Sequence, residues 1–275
     1  MKTKNVIFAD LDGTILNHKY DYSEVKPILN QLSALGGSIV LCSSKTRKEI
    51  EFYCKAVGLS EPFIAENGAA IFIPKHYFPF RYDCTKTSHY NIVRLARSYS
   101  VLRRKLGEIK EKTAAKIIGF GDMTLEELAR DTGLPLKMAK LAHKREHEEP
   151  FRILEGNKPH ILEIIRNEGL QCTEGGRYFH LTDNTDKGKA AVVLKNLYHQ
   201  MFGKIQTFGV GDGPNDLPML KVVDRPFFIK KKFGSTSRLN AWTGILQLVH
   251  GKSKPTAWAD HIACAIDGNK CVTIH

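Results

Sequence analysis

The sequence predicts an α/β fold, a Rossmann-like parallel-sheet core carrying an inserted α+β cap. Three observations lead there. Strand and helix signals alternate along the first part of the chain, as in an open parallel sheet. The middle changes to strand pairs and helices of antiparallel texture. After Leu181 the βα rhythm returns, so the core is split: residues 1–82 and 183–275 form it, and 83–182 form the cap.

Val6-Ile7-Phe8-Ala9 is a short apolar run suited to a buried parallel strand. Ser23 is placed to cap a helix through Leu35, with Pro27 in its first turn and Gly36-Gly37 to end it. Ser38–Cys42 reads as the second strand, and Thr46 with Glu49 as the capping box of a helix through Val57. Phe63–Ala65 and Ala69–Ile73 are further strands. In the cap, a basic helix over Asn91–Leu106 precedes a strand at Lys116–Phe120. A capped helix opens at Met123-Thr124, and a second helical stretch runs through Lys144. Phe151–Leu154 is a strand, Pro159–Asn167 a helix, and Gly175-Gly176 the turn of a hairpin. The core resumes with helix Lys189–Phe202, strand Gln206–Val210, a loop and helix, and strand Pro226–Ile229. The last segment reads as helical near 241–249 and 257–265.

With 42% hydrophobic and 25% charged residues, the 275-residue chain has the composition of a folded globular protein, which excludes wholesale disorder. No apolar run approaches the ~20 residues of a membrane helix, and the start MKTKNVIFADLDG has no signal-peptide core, so a soluble cytoplasmic protein is expected. Lys and Arg exceed Asp and Glu by 41 to 29, a net charge of +12. The densest basic runs, Arg103-Arg104-Lys105 and Lys230-Lys231-Lys232, are short, and there is no zinc-finger spacing or aromatic ribonucleoprotein signature. A solvated basic surface is favoured over nucleic-acid binding. Cysteines 42, 54, 84, 172, 264 and 271 contain no CxxC pair and read as reduced thiols.

Two acid clusters carry the chemistry. Asp10-Leu11-Asp12-Gly13-Thr14 follows the first strand, where ligands of open α/β sheets bind. Gly209-Val210-Gly211-Asp212-Gly213-Pro214-Asn215-Asp216 follows another apolar strand, and Asp212 with Asp216 would complete an oxygen-rich site of the kind Mg²⁺ prefers. Either segment alone is also readable as a polar turn with incidental acids; the pair is much harder to dismiss. Ser43-Ser44-Lys45-Thr46 opens a helix whose N-terminal amides favour an anion, Thr46 capping and Ser43 facing a phosphate. Lys187, at another helix start, opposes the helix dipole unless an anion or carboxylate lies beside it. As an isolated residue it reads better as a solvated charge.

Together these four segments resemble the haloacid dehalogenase-type phosphatases, in the branch with a large α+β cap inserted after the third core strand, over nearly the whole chain. Ser43-Ser44-Lys45-Thr46, Glu66-Asn67-Gly68-Ala69, Glu149-Pro150-Phe151, Gly175-Gly176-Arg177 and Asn215-Asp216-Leu217-Pro218-Met219-Leu220 are most similar to the mannosyl-3-phosphoglycerate phosphatase subfamily. Gly213 departs from it where many members carry serine. The resemblance implies Asp10 as nucleophile and Mg²⁺ ligand, and Asp12 as general acid/base offering its backbone carbonyl to the metal. It implies Asp212 as third ligand, with Asp216 ligating or orienting nearby. Ser43 and Lys187 would hold the phosphoryl group, with Ser44 and Asn215 also in the substrate site. Arg177, on a tight cap turn, suits a substrate carboxylate, although an exposed turn arginine is an even alternative. His180 and His160 could line the same cavity, although a lone histidine is more often structural, and Glu149 and Phe151 are as readily cap core.

The expected function is Mg²⁺-dependent hydrolysis of a phosphorylated sugar-glycerate to mannosylglycerate, a compatible solute, and phosphate. Alternatives are glucosyl-3-phosphoglycerate, sucrose-phosphate or another sugar phosphate as substrate, and a phosphomutase of the same fold. A basic RNA-binding protein on an inactive scaffold is opposed by the intact acids.

Overall fold

The computed structural model describes residues 3–17, 20–175, 177–230, 247–250 and 257–267. In chain order the core opens with β1 (Lys4–Ala9), α1 (Lys26–Ala34), β2 (Ser38–Leu41), α2 (Arg47–Val57), β3 (Phe63–Ala65) and β4 (Ala70–Pro74). Strands β5 (Thr85–Lys86) and β6 (Tyr90–Arg94) follow. Then come α3 (Tyr99–Thr113), β7 (Lys116–Gly119), α4 (Leu125–Thr132), α5 (Leu136–Ala142), β8 (Glu149–Glu155), α6 (Lys158–Asn167), β9 (Gln171–Gly175) and β10 (Tyr178–Thr182). The chain returns through α7 (Lys187–Phe202), β11 (Ile205–Gly211), α8 (Leu217–Val222), β12 (Arg225–Lys230), β13 (Gln247–His250) and α9 (Ala257–Asp267).

The central sheet is parallel, in the order β13-β12-β11-β1-β2. β3 joins beyond β2 through a single parallel bridge, Cys42 to Ile64. Side chains alternate across β1: Ile7 and Ala9 face a core filled by α1, α2 and α9, including the fully buried Trp258. Val6 and Phe8 face the opposite core, built from α7 and α8 around Ala191, Leu194 and Met219. Buried on both faces, the β1 segment reads as the continuous apolar run expected of a parallel strand. Strand order reverses between β1 and β11, and the crevice outside their carboxyl ends is where such sheets bind ligands.

The cap sheet, β7-β8-β10-β9, is antiparallel. α3 and α6 cover it, Leu102, Leu106 and Ile109 meeting Ile161, Ile165, Phe151 and Leu181. Arg97 and Asp183 join the two chain segments that lead into and out of this layer: the Arg97 N–H and its Nε both donate to Asp183 Oδ2, at 3.0 and 2.9 Å. No helix among the described residues is long and apolar enough to cross a membrane.

Three expectations need correction. Asn91–Arg94 is strand rather than helix. Ile92 and Val93 are β-branched and enter opposite cores, so the segment pairs with β4 and the helix begins only at Tyr99. That pairing carries the sheet β3-β4-β6-β5 across residue 82. Ser23 caps no helix; its hydroxyl donates to Asp21 Oδ2 at 2.7 Å, and α1 starts three residues later behind Val25. Gln247–His250 pairs as a parallel strand with β12, whereas 241–246 lies outside the described residues, as do Lys231, Lys232 and Cys271. The five described cysteines are free thiols.

Candidate active site

The two acid segments meet because β1 and β11 are neighbours. Ala9 is in register with Val210, and the Asp10 N–H donates to the Val210 carbonyl at 3.0 Å, so Asp10 and Asp212 leave adjacent strands side by side. Gly13, at φ 81°, turns the first segment back so that its N–H reaches Leu16 O at 2.7 Å. In the second segment, Asp216 Oδ2 accepts the N–H groups of Asp212 (3.0 Å) and Gly213 (2.9 Å), closing the turn over Pro214–Asp216. A Cβ on Gly211 would lie 2.5 Å from the Asp216 side chain, so glycine is obligatory there. A Cβ on Gly213 would approach Asn215 Oδ1 to 2.6 Å, so a serine here would require Asn215 to turn.

Carboxylate oxygens of Asp10, Asp212 and Asp216 gather within 4.8 Å of one another. Into this group reaches Lys187, the first residue of α7, fully buried, its Nζ 2.6 Å from Asp10 Oδ1 and 2.6 Å from Asp216 Oδ1. The helix start that brings it there is capped by Asp186, whose carboxylate accepts the Lys189 N–H at 2.8 Å. The carboxylates thus supply the partner that a lysine opposed to the helix dipole requires. Burial, and then Asp216 beside it, pushes the Asp10 carboxyl well above the ordinary range, with Lys187 pulling the other way. Burial works against the Lys187 ammonium, but Asp10 and Asp216 hold it charged.

Three clustered carboxylates against one ammonium form an all-oxygen donor set matched to a hard divalent cation. Asp12 Oδ1, buried and without a hydrogen-bond partner, lies near enough for Asp12 to raise the Asp10 pKa. The residues therefore fit a metal ion. The Asp12 carboxylate is not one of the trio.

The loop after β2 supplies the next wall. Ser43 is fully buried, its Oγ accepting the Lys45 N–H at 3.2 Å. Thr46 makes the capping box with Glu49 that its spacing predicts. Ser44 offers its carbonyl to Arg145 Nη1 at 2.8 Å. Lys45, unassigned on sequence grounds, places Nζ 3.1 Å from Asp12 Oδ2 and 3.6 Å from Glu49 Oε1, with the Tyr20 ring 5.0 Å away. Only its spacing two residues after Ser43 hinted at this.

The cap meets the core around residues 145–148. Glu66 Oε2 accepts the N–H groups of Glu146 (3.2 Å) and His147 (2.8 Å), and its Oε1 that of Glu146 (2.9 Å). Burial, offset by Arg145 and reinforced by Glu148, raises the Glu66 carboxyl to about 7. Asn67 donates to Glu148 Oε2 at 2.7 Å and accepts from Asn215 Nδ2 at 3.1 Å. Glu148, wholly buried, also takes His180 Nδ1 at 2.5 Å and Arg145 at 3.3 Å. His180 thus sits at this junction, whereas His160 is on the surface near Glu163. Glu149 binds Arg103 and the Gly121 N–H, and Phe151 fills the cap core. Arg177 is exposed, donating to Thr132 O at 2.9 Å over the Tyr178 ring, both within the cap. Glu66, Asn67, Arg145 and Glu148 received no role from sequence, since nothing local to those residues announces a partner so distant in the chain.

A family model described as haloacid dehalogenase-like hydrolase matches residues 7–232. The chain belongs to that family. It is 43% identical over 235 residues to a protein of Methanococcoides burtonii named glucosyl-3-phosphoglycerate/mannosyl-3-phosphoglycerate phosphatase, spanning 84% of this chain and 86% of that one. A Pyrococcus horikoshii protein named mannosyl-3-phosphoglycerate phosphatase is 37% identical over 224 residues, 82% of this chain and 90% of that one. Among solved structures, Thermoplasma acidophilum 0175 superposes with a TM-score of 0.67 at 16% identity, covering 96% of this chain and 99% of that one. The haloacid dehalogenase-like hydrolase described here is an α/β enzyme with a Rossmann-like core and a cap.

Proposed function

We propose that this phosphoric monoester hydrolase is Mg²⁺-dependent and cleaves mannosyl-3-phosphoglycerate to mannosylglycerate and phosphate through an aspartyl-phosphate on Asp10. The observation that carries the reading is Lys187 bridging Asp10 and Asp216 at the reversal point of the sheet, in a chain whose relatives bear that substrate in their names. An Asp10 oxygen attacks phosphorus while Asp12 protonates the departing sugar-glycerate oxygen; Asp12 then takes a proton from the water that hydrolyses the acyl phosphate. Lys187 and Ser43 hold the equatorial oxygens, with Ser44 and Asn215 lining the same site. Asp10, Asp212 and Asp216, with the Asp12 carbonyl, would hold Mg²⁺, which supplies charge neutralisation to the transferring group.

We assign the cap to residues 83–182, an insertion whose first strands, β5 and β6, extend the sheet of β3 and β4. Arg177 is our candidate for the glycerate carboxylate. The enzyme works in the cytoplasm on a small soluble substrate. Glucosyl-3-phosphoglycerate is a second reading, favoured by the dual name of the Methanococcoides burtonii relative. A phosphate-release screen over both glycosyl phosphoglycerates and simple sugar phosphates, with and without Mg²⁺, tests the proposal. Release only from sugar phosphates that lack the glycerate would overturn the substrate, and Mg²⁺-independent release the metal.

A further inference from the structure

The chemistry above leaves the buried amide of Asn67 without a part. It is 5% exposed and uses both ends, Oδ1 accepting from Asn215 at 3.1 Å and Nδ2 donating to Glu148 at 2.7 Å. Asn215 belongs to the turn that Asp216 closes, and Glu148 belongs to the cap, so a single side chain spans the two. The amide orientation is fixed by chemistry, because only its NH₂ end can face the Glu148 carboxylate. Glu148 in turn is anchored by His180 and Arg145 and cannot drift independently of the cap.

The backbone adds to the case. Glu66 and Asn67 both adopt left-handed conformations, φ 49° and 56°, which non-glycine residues enter at a cost. The strained pair is held from two sides, by the Glu146 and His147 N–H groups on Glu66 and by the close seating of Gly68 against Asp186. The turn therefore rests on cap contacts on one side and on the start of α7, which carries Lys187, on the other.

We propose that Asn67 is a positioning residue that couples the metal-loop residue Asn215 to the cap residue Glu148, so that ordering of the acid loop and seating of the cap stabilise one another. By reciprocity, whatever orders residues 212–216 must tighten residues 144–149, and the reverse. The Mg²⁺ arm of the test rests on the proposed metal reading; the metal-free arm does not.

The test is amide hydrogen exchange on the full chain. Asn67→Gly removes the amide while tolerating the positive φ, so the turn is preserved. In metal-free protein this variant should speed exchange in both 212–216 and 144–149; unchanged exchange in 212–216 overturns the proposal. On adding Mg²⁺, wild-type residues 144–149 should slow by about fivefold or more, the range of ordinary coupling between sites. In Asn67→Gly that slowing should vanish although Mg²⁺ still binds, as read by a rise in Tm. An equal slowing in both proteins, or none in a wild type that binds Mg²⁺, overturns it. Should Asn67→Gly fail to fold, Asn67→Asp keeps the acceptor for Asn215 but sets a carboxylate against Glu148, and must decouple the two segments in the same way. A wild type that shows the response yet releases no phosphate from any tested ester would sink the functional reading and leave the coupling standing.

Discussion

Lys45 and Asp12 form an ion pair of 3.1 Å in which the lysine side chain is 8% exposed and the aspartate side chain 42%. The buried partner fixes the geometry: Glu49 and the Tyr20 and Tyr53 rings hold the ammonium, and the ammonium holds the carboxylate. Replacing Lys45 by methionine keeps the stem and deletes the charge. A charge-assisted hydrogen bond is worth about 1.5–3 kcal/mol, so kcat/KM should fall by roughly ten- to a hundredfold. Steady-state kinetics beside a Tm measurement check this; full activity in a folded variant would leave Lys45 with a packing role alone.

Asp10→Asn should remove phosphate release by about 10⁴-fold or more, the usual loss for a deleted nucleophile. The fold should survive, because the substitution relieves the repulsion with Asp216 that helps raise the Asp10 carboxyl. Activity near that of the wild type would refute the nucleophile. Asp12→Asn should still trap beryllium fluoride on Asp10 while turning over slowly, because it spares the attacking group.

Glu66 gives the protein a pH dependence of stability. Its carboxyl lies at 4.5 when solvated and at about 7 in the folded chain, so between those values the folded state binds the proton more tightly. The stabilising contribution is whole below pH 4.5, declines as pH rises through 7 and is flat beyond, a change on the order of 3 kcal/mol. Glu66→Gln cannot titrate. Its Tm relative to the wild type should therefore move in its favour across that interval and nowhere above it. Parallel Tm curves for the two proteins would contradict the assignment.

Two glycines of similar φ should respond differently to alanine. At Gly68, φ 93°, a Cβ would lie 2.1 Å from Asp186 O and 2.9 Å from Lys187 N. At Gly58, φ 82°, it would meet nothing within 4 Å. Gly58→Ala should cost about 1 kcal/mol of backbone strain. Gly68→Ala should cost more than about 2 kcal/mol, and it should impair catalysis as the start of α7 is displaced. Denaturant unfolding with activity on the soluble fraction separates the two.

Arg177→Ala decides whether the exposed cap arginine reads the carboxylate. Loss of one such bond lowers kcat/KM for the glycosyl phosphoglycerate roughly ten- to a hundredfold. p-Nitrophenyl phosphate, which has no carboxylate, should be unaffected. Equal losses on both substrates would mean that the bond to Thr132 O serves the fold.

The legible part of the sequence was the part with local grammar. β1 announced itself because a strand buried on both faces must be continuously apolar, and Thr46 with Glu49 because a capping box has fixed spacing. Asn91–Arg94 reads locally as the start of the following helix because its strand identity depends on the open edge of β4, which no neighbouring residue encodes. The same limit divides the site. Asp10, Asp12, Asp212 and Lys187 sit at element ends, where position hints at role. Glu66, Asn67 and Glu148 become a cluster only once the cap is docked on the core.

The Arg97–Asp183 staple has an engineering consequence. Both lanes of traffic into the cap pass through one carboxylate, while on the other side of it β6 stays paired with β4, and β5 with β6. Transplanting the cap onto another scaffold of this kind thus has natural junctions at 97 and 183, which carry both halves of the staple with the graft. A cut at 82 would instead tear β6 from its neighbour, exposing the edge of β4 and inviting the chimera to pair with itself.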